Sequence, residues 1–322
     1  MNQATETPLR LGVSTCLLGE QVRYDGQHKY DRFLVETLGP YVEFVPVCPE
    51  VECGLPVPRE SMRLVGDPDT PKLLTTRTGV DHTERMLQFA RRRVVELEEH
   101  GLCGYVFKSK SPSSGMERIK VYPEGGGMPK KNGVGMFARE FMDHFPRLPV
   151  EEEGRLNDPV LRENFIERIF LMKRWRDLTW RRELSARELV DFHTAHKLLL
   201  MAHSPNHYRQ AGKLVALAGC SDLASLAEQY LDVLMAGTRR HATRAKHQNV
   251  LQHVLGHFKK ELTSDEKTEA LAVIQAFRDG HVPLIVPITL INHFVRKYGK
   301  EYLAGQVYLR PAPAELHLRN HC

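Results

Sequence analysis

Apolar and polar positions change rhythm partway along this chain. Between Leu9 and Tyr122, short β-type runs (RLGVST, YVEFVPV, GYVFKS and IKVY) recur among stretches with helical spacing. The plainest of these helices follows Asp81. Glu84 completes a capping pattern there, Met86, Leu87, Ala90, Val94 and Leu97 form the apolar stripe, and Gly101 is placed to end it. Strands alternating with helices predict an α/β domain with a mostly parallel sheet. The stretch FPRLPVEEEGRLNDP, rich in proline and acid, reads as a linker.

Beyond it the strand rhythm nearly vanishes. Asp158 with Pro159 opens a helix whose stripe is Leu161, Phe165, Ile169 and Met172. Ser185 and Glu188 make a capping box, with Leu184 and Leu189 spaced as a hydrophobic staple, and Thr263 with Glu266 starts a helix that stops near Gly280. The expected organisation is an α/β domain over 1–147 followed by an all-α helical bundle over 148–322.

Composition sharpens that division. Residues 1–150 hold 20 basic and 20 acidic residues, so the whole formal excess of +5 falls in the second half, with 12 of the 16 histidines. The chain starts without a basic segment leading into an apolar one, and no run of apolar residues is long enough to span a bilayer. A cytoplasmic protein without membrane association is expected. Its six cysteines then point to metal or catalysis rather than disulfides.

The candidate chemistry lies at three strand ends. RLGVST delivers Cys16, YVEFVPV delivers Cys48, Glu50 and Cys53, and GYVFKS delivers Ser111, Ser113 and Ser114. In an open α/β sheet, ligands bind beyond the carboxyl ends of the strands, so the three loops can face one site. Thiolates suit zinc or an iron–sulfur cluster, and spacing alone leaves the choice open, as it does the plainer reading of buried core thiols. KSPSSG lacks the lysine and glycines of a phosphate-binding P-loop. An Arg23–Asp25 pair is expected to be buried, and Lys108 and Lys110 flank the serine loop where a phosphate would suit them.

The set VSTCLLGEQVRYDG, CPE with GLPVPRE, and KSPSSG resembles the thiouracil desulfidase family, and the whole chain is similar to its two-domain branch, which includes bacterial tRNA 4-thiouridine desulfidases. The resemblance implies a four-iron four-sulfur cluster on three cysteines, with an open iron that takes the sulfur of a thiolated uracil and hydrosulfide as the product. It places the first two ligands on Cys16 and Cys48, the catalytic carboxylate on Glu50 and the catalytic serine on Ser111. The family's third cysteine belongs in SPSCG, where this chain has Ser114. Cys53, in the same loop as Cys48, is the expected substitute. Cys103 is the other candidate, although it starts its strand and so falls on the far side of the sheet; Cys220 and Cys322 lie in the helical half.

Residues 237–260 carry six Lys and Arg, four His and no acid, and Arg239, Arg240 and Arg244 are expected to line one side of a helix against tRNA phosphates. His193, His196, Lys197, His203 and His207 form a second polar cluster around Tyr208. Two other readings stand beside the tRNA desulfidase: a desulfidase of free thiouracil, and a non-enzymatic RNA-binding protein with a decayed cluster site.

Overall fold

A computed structural model describes residues 8–179 and 183–321 and divides the chain into two compact units between Asp158 and Pro159. The first is built on four parallel strands in the order β2-β1-β5-β8: β1 (Arg10–Ser14), β2 (Glu43–Val47), β5 (Gly104–Phe107) and β8 (Val150–Glu152). Gly12 and Tyr105 are partners in the β1–β5 register. Tyr105 and Phe107 pack with their rings tilted and centroids 4.3 Å apart, and Phe141 meets Tyr105 at 4.6 Å. All three rings are fully buried, so aromatic burial anchors this face of the sheet.

β8 corrects the expected boundary. The stretch taken for a linker pairs Val150–Glu152 with Tyr105–Phe107, so the first unit extends past 147 to 158. IKVY also differs from expectation: as β6 (Ile119–Tyr122) it belongs to a second sheet, in the order β4-β3-β6-β7. Its companions β3 (Met62–Val65), β4 (Lys72–Thr75) and β7 (Lys130–Gly133) are four residues each, too short for their alternation to stand out.

Among the described residues the unit also has the α-helices α1 (Pro49–Glu52), α2 (Thr83–Glu98) and α3 (Met136–His144), besides short helical turns such as Phe33–Leu38. α2 buries Met86, Ala90, Val94 and Leu97 as its stripe predicts. Its N-cap is His82, while Asp81 accepts a hydrogen bond from the Thr83 N–H at 2.8 Å.

The second unit is helical: α4 (Pro159–Thr179), α5 (Ala186–His203), α6 (Pro205–Val215), α7 (Leu223–Thr238), α8 (Arg244–Leu255), α9 (Ser264–Asp279) and α10 (Ile285–Lys297), then the short α11 (Glu301–Ala304). Both capping boxes form, Ser185 with Glu188 and Thr263 with Glu266, and Gly280 closes α9 in the left-handed region. Leu198, Val250, Phe258, Ile274, Ile288 and Phe294 belong to one apolar core.

Histidines are buried in this unit too. His193 and His196 on α5 and His247 on α8 are buried. Burial lowers them to about 4, about 3 and about 3 respectively, so all three stay neutral in the fold. A histidine depressed on folding contributes stability that is present above its unfolded value, near 6.5, and lost as pH falls below it. Glu163 works in the opposite direction, because burial and the Glu167 charge raise its carboxyl to about 7. The unfolded chain still takes up more protons, so this unit is expected to lose roughly 1 to 2 kcal/mol between pH 6.5 and 5.5. Urea unfolding at the two pH values measures it, and His247→Gln should shrink the difference. Equal midpoints at both pH values would contradict neutral burial.

Candidate active site

The carboxyl ends of β1, β2 and β5 open onto one cavity of about 620 Å3. Cys16 follows β1 in a single tight turn, Thr15–Leu18. Cys48 follows β2 and occupies the N-cap of α1, where Pro49 fixes the first helical residue. The Cys48 N–H donates to Glu52 Oε1 at 2.7 Å. After β5 comes the serine loop, and the Lys108 N–H donates to Ser14 Oγ at 2.9 Å, which ties its start to the end of β1. Cys16, Cys48, Glu50, Arg59, Ser111 and Ser114 all line the cavity.

Glu50 is the hub of these side chains. Its Oε1 accepts from Ser113 Oγ at 2.5 Å and lies 3.5 Å from Ser111 Oγ. Its Oε2 has longer contacts, 3.6 Å to Cys48 Sγ and 3.9 Å to Arg59 Nη2. Arg59 is held in turn by the Val22 carbonyl at 3.0 Å. Ser113, to which the sequence assigned no role, therefore makes the shorter contact with Glu50 and is fully buried. Only its SPS spacing hinted at this, since hydroxyls two residues apart in a turn can share one acceptor.

Acids at and just after the end of β8 fix the same loop. Glu153 accepts from the Ser109 N–H at 2.7 Å and pairs with Lys108 Nζ, and Glu152 accepts from the Met116 N–H at 2.9 Å. Lys108 is thereby neutralised rather than offered to a phosphate, whereas Lys110 is exposed. Gly135 lets the loop lie against α3. A Cβ there would sit 2.6 Å from the Ser113 carbonyl, which accepts from the Ala138 N–H.

The structure brings Cys16 and Cys48 together but leaves Cys53 out. Cys53 is the C-cap of α1; its thiol donates to the Glu50 carbonyl at 3.2 Å, and it does not line the cavity. Cys103 is buried ahead of β5 and is not in the cavity wall either. The expected three-thiolate set of Cys16, Cys48 and Cys53 is therefore not assembled, and no group of three His, Cys, Asp or Glu arranged to hold a metal occurs among the described residues. The donors that the three loops bring to this cavity are the thiols of Cys16 and Cys48, the Glu50 carboxylate and the hydroxyls of Ser111 and Ser114, and paired thiols are the donors that suit an iron–sulfur cluster. Burial pushes the Cys16 thiol up to about 11 and the Cys48 thiol up to about 12, with Glu50 adding to both, so neither is a nucleophile at neutral pH in the chain alone.

Other expectations are corrected. The Arg23–Asp25 pair forms at 3.3 Å, but at the surface rather than buried. His193, His196 and His203 are core residues: His193 meets Tyr230 Oη, His196 the Phe192 carbonyl, and His203 both Glu167 and the Arg240 carbonyl. His203 ends α5 and His207 lies in α6, with Pro205 breaking the helix between them, so the cluster expected around Tyr208 is split between two helices. Arg239 and Arg240 are exposed beyond α7, while Arg244 donates to the Phe277 carbonyl at 3.0 Å, so the three arginines do not line one helix. Cys220 is exposed, and Cys322 lies outside the described residues. Among the described residues no helix is long and apolar enough to cross a membrane.

Several known proteins and two family models match parts of this chain. The chain is 33% identical over 133 residues to the uncharacterized protein YbgA of Escherichia coli (strain K12), a match covering 41% of this chain and 79% of YbgA. It is 30% identical over 108 residues to the uncharacterized protein YbbK of Bacillus subtilis (strain 168), covering 32% of this chain and 71% of YbbK. Among solved structures, the 4Fe-4S-dependent thiouracil desulfidase TudS shares 29% identity at a TM-score of 0.39, over 46% of this chain and 93% of TudS. Residues 197–313 match a family model of a protein of unknown function, DUF1722. The 2-thiouracil desulfurase model matches residues 11–153, which take in all three strand-end loops and Glu152 and Glu153 that brace the last of them, and the chain belongs to that family.

Proposed function

We propose that this protein is a desulfidase that exchanges the sulfur of a thiolated uracil base in tRNA, 4-thiouridine, for oxygen and releases hydrosulfide. The observation that carries this reading is the convergence of Cys16, Cys48, Glu50 and the serine loop on one cavity at the carboxyl end of a parallel sheet. Cys16 and Cys48 would hold an iron–sulfur cluster there. Such a cluster, when bound, supplies a Lewis acid for the thiocarbonyl sulfur.

The chain's own residues handle the proton. With Oε1 of Glu50 held by Ser113 and Ser111, the more loosely engaged Oε2 is the oxygen free to accept a proton from water. Water oxygen then joins the carbon as the carbon–sulfur bond breaks, and no electron is gained or lost overall. Ser111, in the cavity wall, is placed to steer a proton toward a ring nitrogen.

The preference for tRNA rests on charge. Lys29 and Lys110 are exposed residues on the cavity rim. In the helical unit, Arg239, Arg240, Lys259 and Lys260 are exposed and suited to backbone phosphates. The test is hydrosulfide release by the anaerobically reconstituted full chain from tRNA carrying 4-thiouridine and from free thiouracil. A clear preference for tRNA, with tRNA binding that weakens steeply as salt rises, is expected. Equal or better turnover of free thiouracil points to the small-molecule desulfidase instead. tRNA binding without hydrosulfide from either substrate leaves an RNA-binding protein.

A further inference from the structure

We propose that Ser114 supplies the third protein ligand of the cluster through its side-chain oxygen, giving this chain a centre held by two sulfurs and one oxygen. The inference rests on the cluster reading above and concerns the donor that the cavity offers in place of a third thiolate.

Three loops contribute one small donor each to the same wall: Cys16, Cys48 and Ser114. Ser114 is 3% exposed, and the hydroxyl's hydrogen-bond partner is Ser113 Oγ at 3.3 Å, a long contact that leaves lone pairs available. The neighbouring hydroxyls are committed elsewhere. Ser111 Oγ reaches the cavity, but it already accepts from the N–H groups of Ser113 and Ser114 at 3.3 and 3.2 Å, which occupies its lone pairs and leaves its O–H as a donor. Ser113 donates to Glu50 and has no place in the cavity wall.

The backbone at this position is also fixed. The Gly115 N–H donates to the Ser111 carbonyl at 2.9 Å, the Gly135 N–H to the Gly115 carbonyl at 2.8 Å, and the Ala138 N–H to the Ser113 carbonyl at 3.1 Å. Residue 114 cannot swing aside to admit Cys53, whose thiol is engaged at the far end of α1. Ligation breaks the Ser114 O–H bond as an oxygen–iron bond forms, without change in electron count. Ser113 stands between Ser114 and the Glu50 carboxylate, at 3.3 and 2.5 Å, and gives the displaced proton a route to a base. An oxygen is a harder donor than a thiolate, so this corner should hold iron less firmly than a cysteine would.

The experiment reconstitutes the full chain, S114A, S114C and C53A anaerobically. It measures iron and sulfide per chain, visible absorption, the electron paramagnetic resonance signal after reduction, and the rate of iron loss to a chelator. The wild type and C53A are expected to carry about four irons with the same spectra. S114A should lose iron or the whole cluster. S114C should restore it with an altered resonance signal and slow chelator loss at least about tenfold, since even residues outside the ligand shell change metal affinity on that scale. Loss in C53A with S114A unchanged would make Cys53 the ligand and overturn the inference while the cluster reading stands. Iron in S114C but not in the wild type would also overturn it, showing that serine does not ligate. No iron in any of the four, with folded protein by circular dichroism, would remove the cluster reading itself.

Discussion

Glu50→Gln is expected to lower the rate of sulfur release by a factor of about 10² to 10⁴, the range over which positioned general bases act, while iron content and thermal midpoint stay where they are. The substitution is isosteric. An amide oxygen still accepts from Ser113, and the fit against Ser111 and Arg59 is kept. What is lost is the ability to take a proton. Single-turnover hydrosulfide release checks this on protein matched for iron. A rate within a few-fold of wild type would remove Glu50 from the chemistry. A drop accompanied by iron loss would instead make it a structural support of the cavity. Ser113→Ala provides the graded comparison: the carboxylate remains but loses its 2.5 Å partner, so the rate should fall by less than in Glu50→Gln at unchanged iron content.

The parts of this site that the sequence revealed are those whose signals are local. β1, β2 and β5 are apolar runs that end in a chemically distinct residue, and the boxes at Ser185 and Thr263 are complete within four residues. The serine loop's support was hidden because it is distant in sequence. Three consecutive glutamates look like solvated linker until Lys108, Ser109 and Met116 are seen to use two of them. Cys53 misled for a geometric reason. It shares a loop with Cys48, but five residues along a helix of 3.6 per turn bring the side chain round by roughly 140°, away from the face that carries the first thiol. The α5 histidines misled because a polar residue counts as exposed in any pattern of alternation. Whether a histidine is exposed depends on the partner a neighbouring helix offers it, such as Tyr230 for His193.

Arg319 is the extreme of this non-local class, and Arg319→Ala is expected to cost the helical unit about 3 to 5 kcal/mol, the usual effect of removing one side of a buried ion pair. Nothing in the C-terminal stretch HLRN marks the residue, yet it is 3% exposed and sits in the left-handed region at φ 67°, a conformation that a residue other than glycine keeps only when its surroundings impose it. Its N–H donates to Glu163 at 2.9 Å, Nη2 to Glu167 at 2.6 Å and Nη1 to the Tyr308 carbonyl at 2.5 Å, so one side chain joins the end of the chain to α4. Truncation leaves Glu167 buried, with the His203 ring still hydrogen-bonded to it at 3.1 Å but without its guanidinium partner. The thermal midpoint should fall by roughly 10 °C for a unit of this size. The wild type carries a second signature. Arg319 and His203 hold the Glu167 carboxyl down to about 2 against the cost of burial, so the stability this gives is present above about pH 4.3 and is lost as pH falls toward 2. In Arg319→Ala that loss in the acid range should shrink, and adding Glu163→Gln should recover part of the midpoint by removing one of the two stranded carboxylates. Additive effects of the two substitutions, with the acid profile unchanged, would mean that Arg319 acts through packing on Tyr308 and not through its charge.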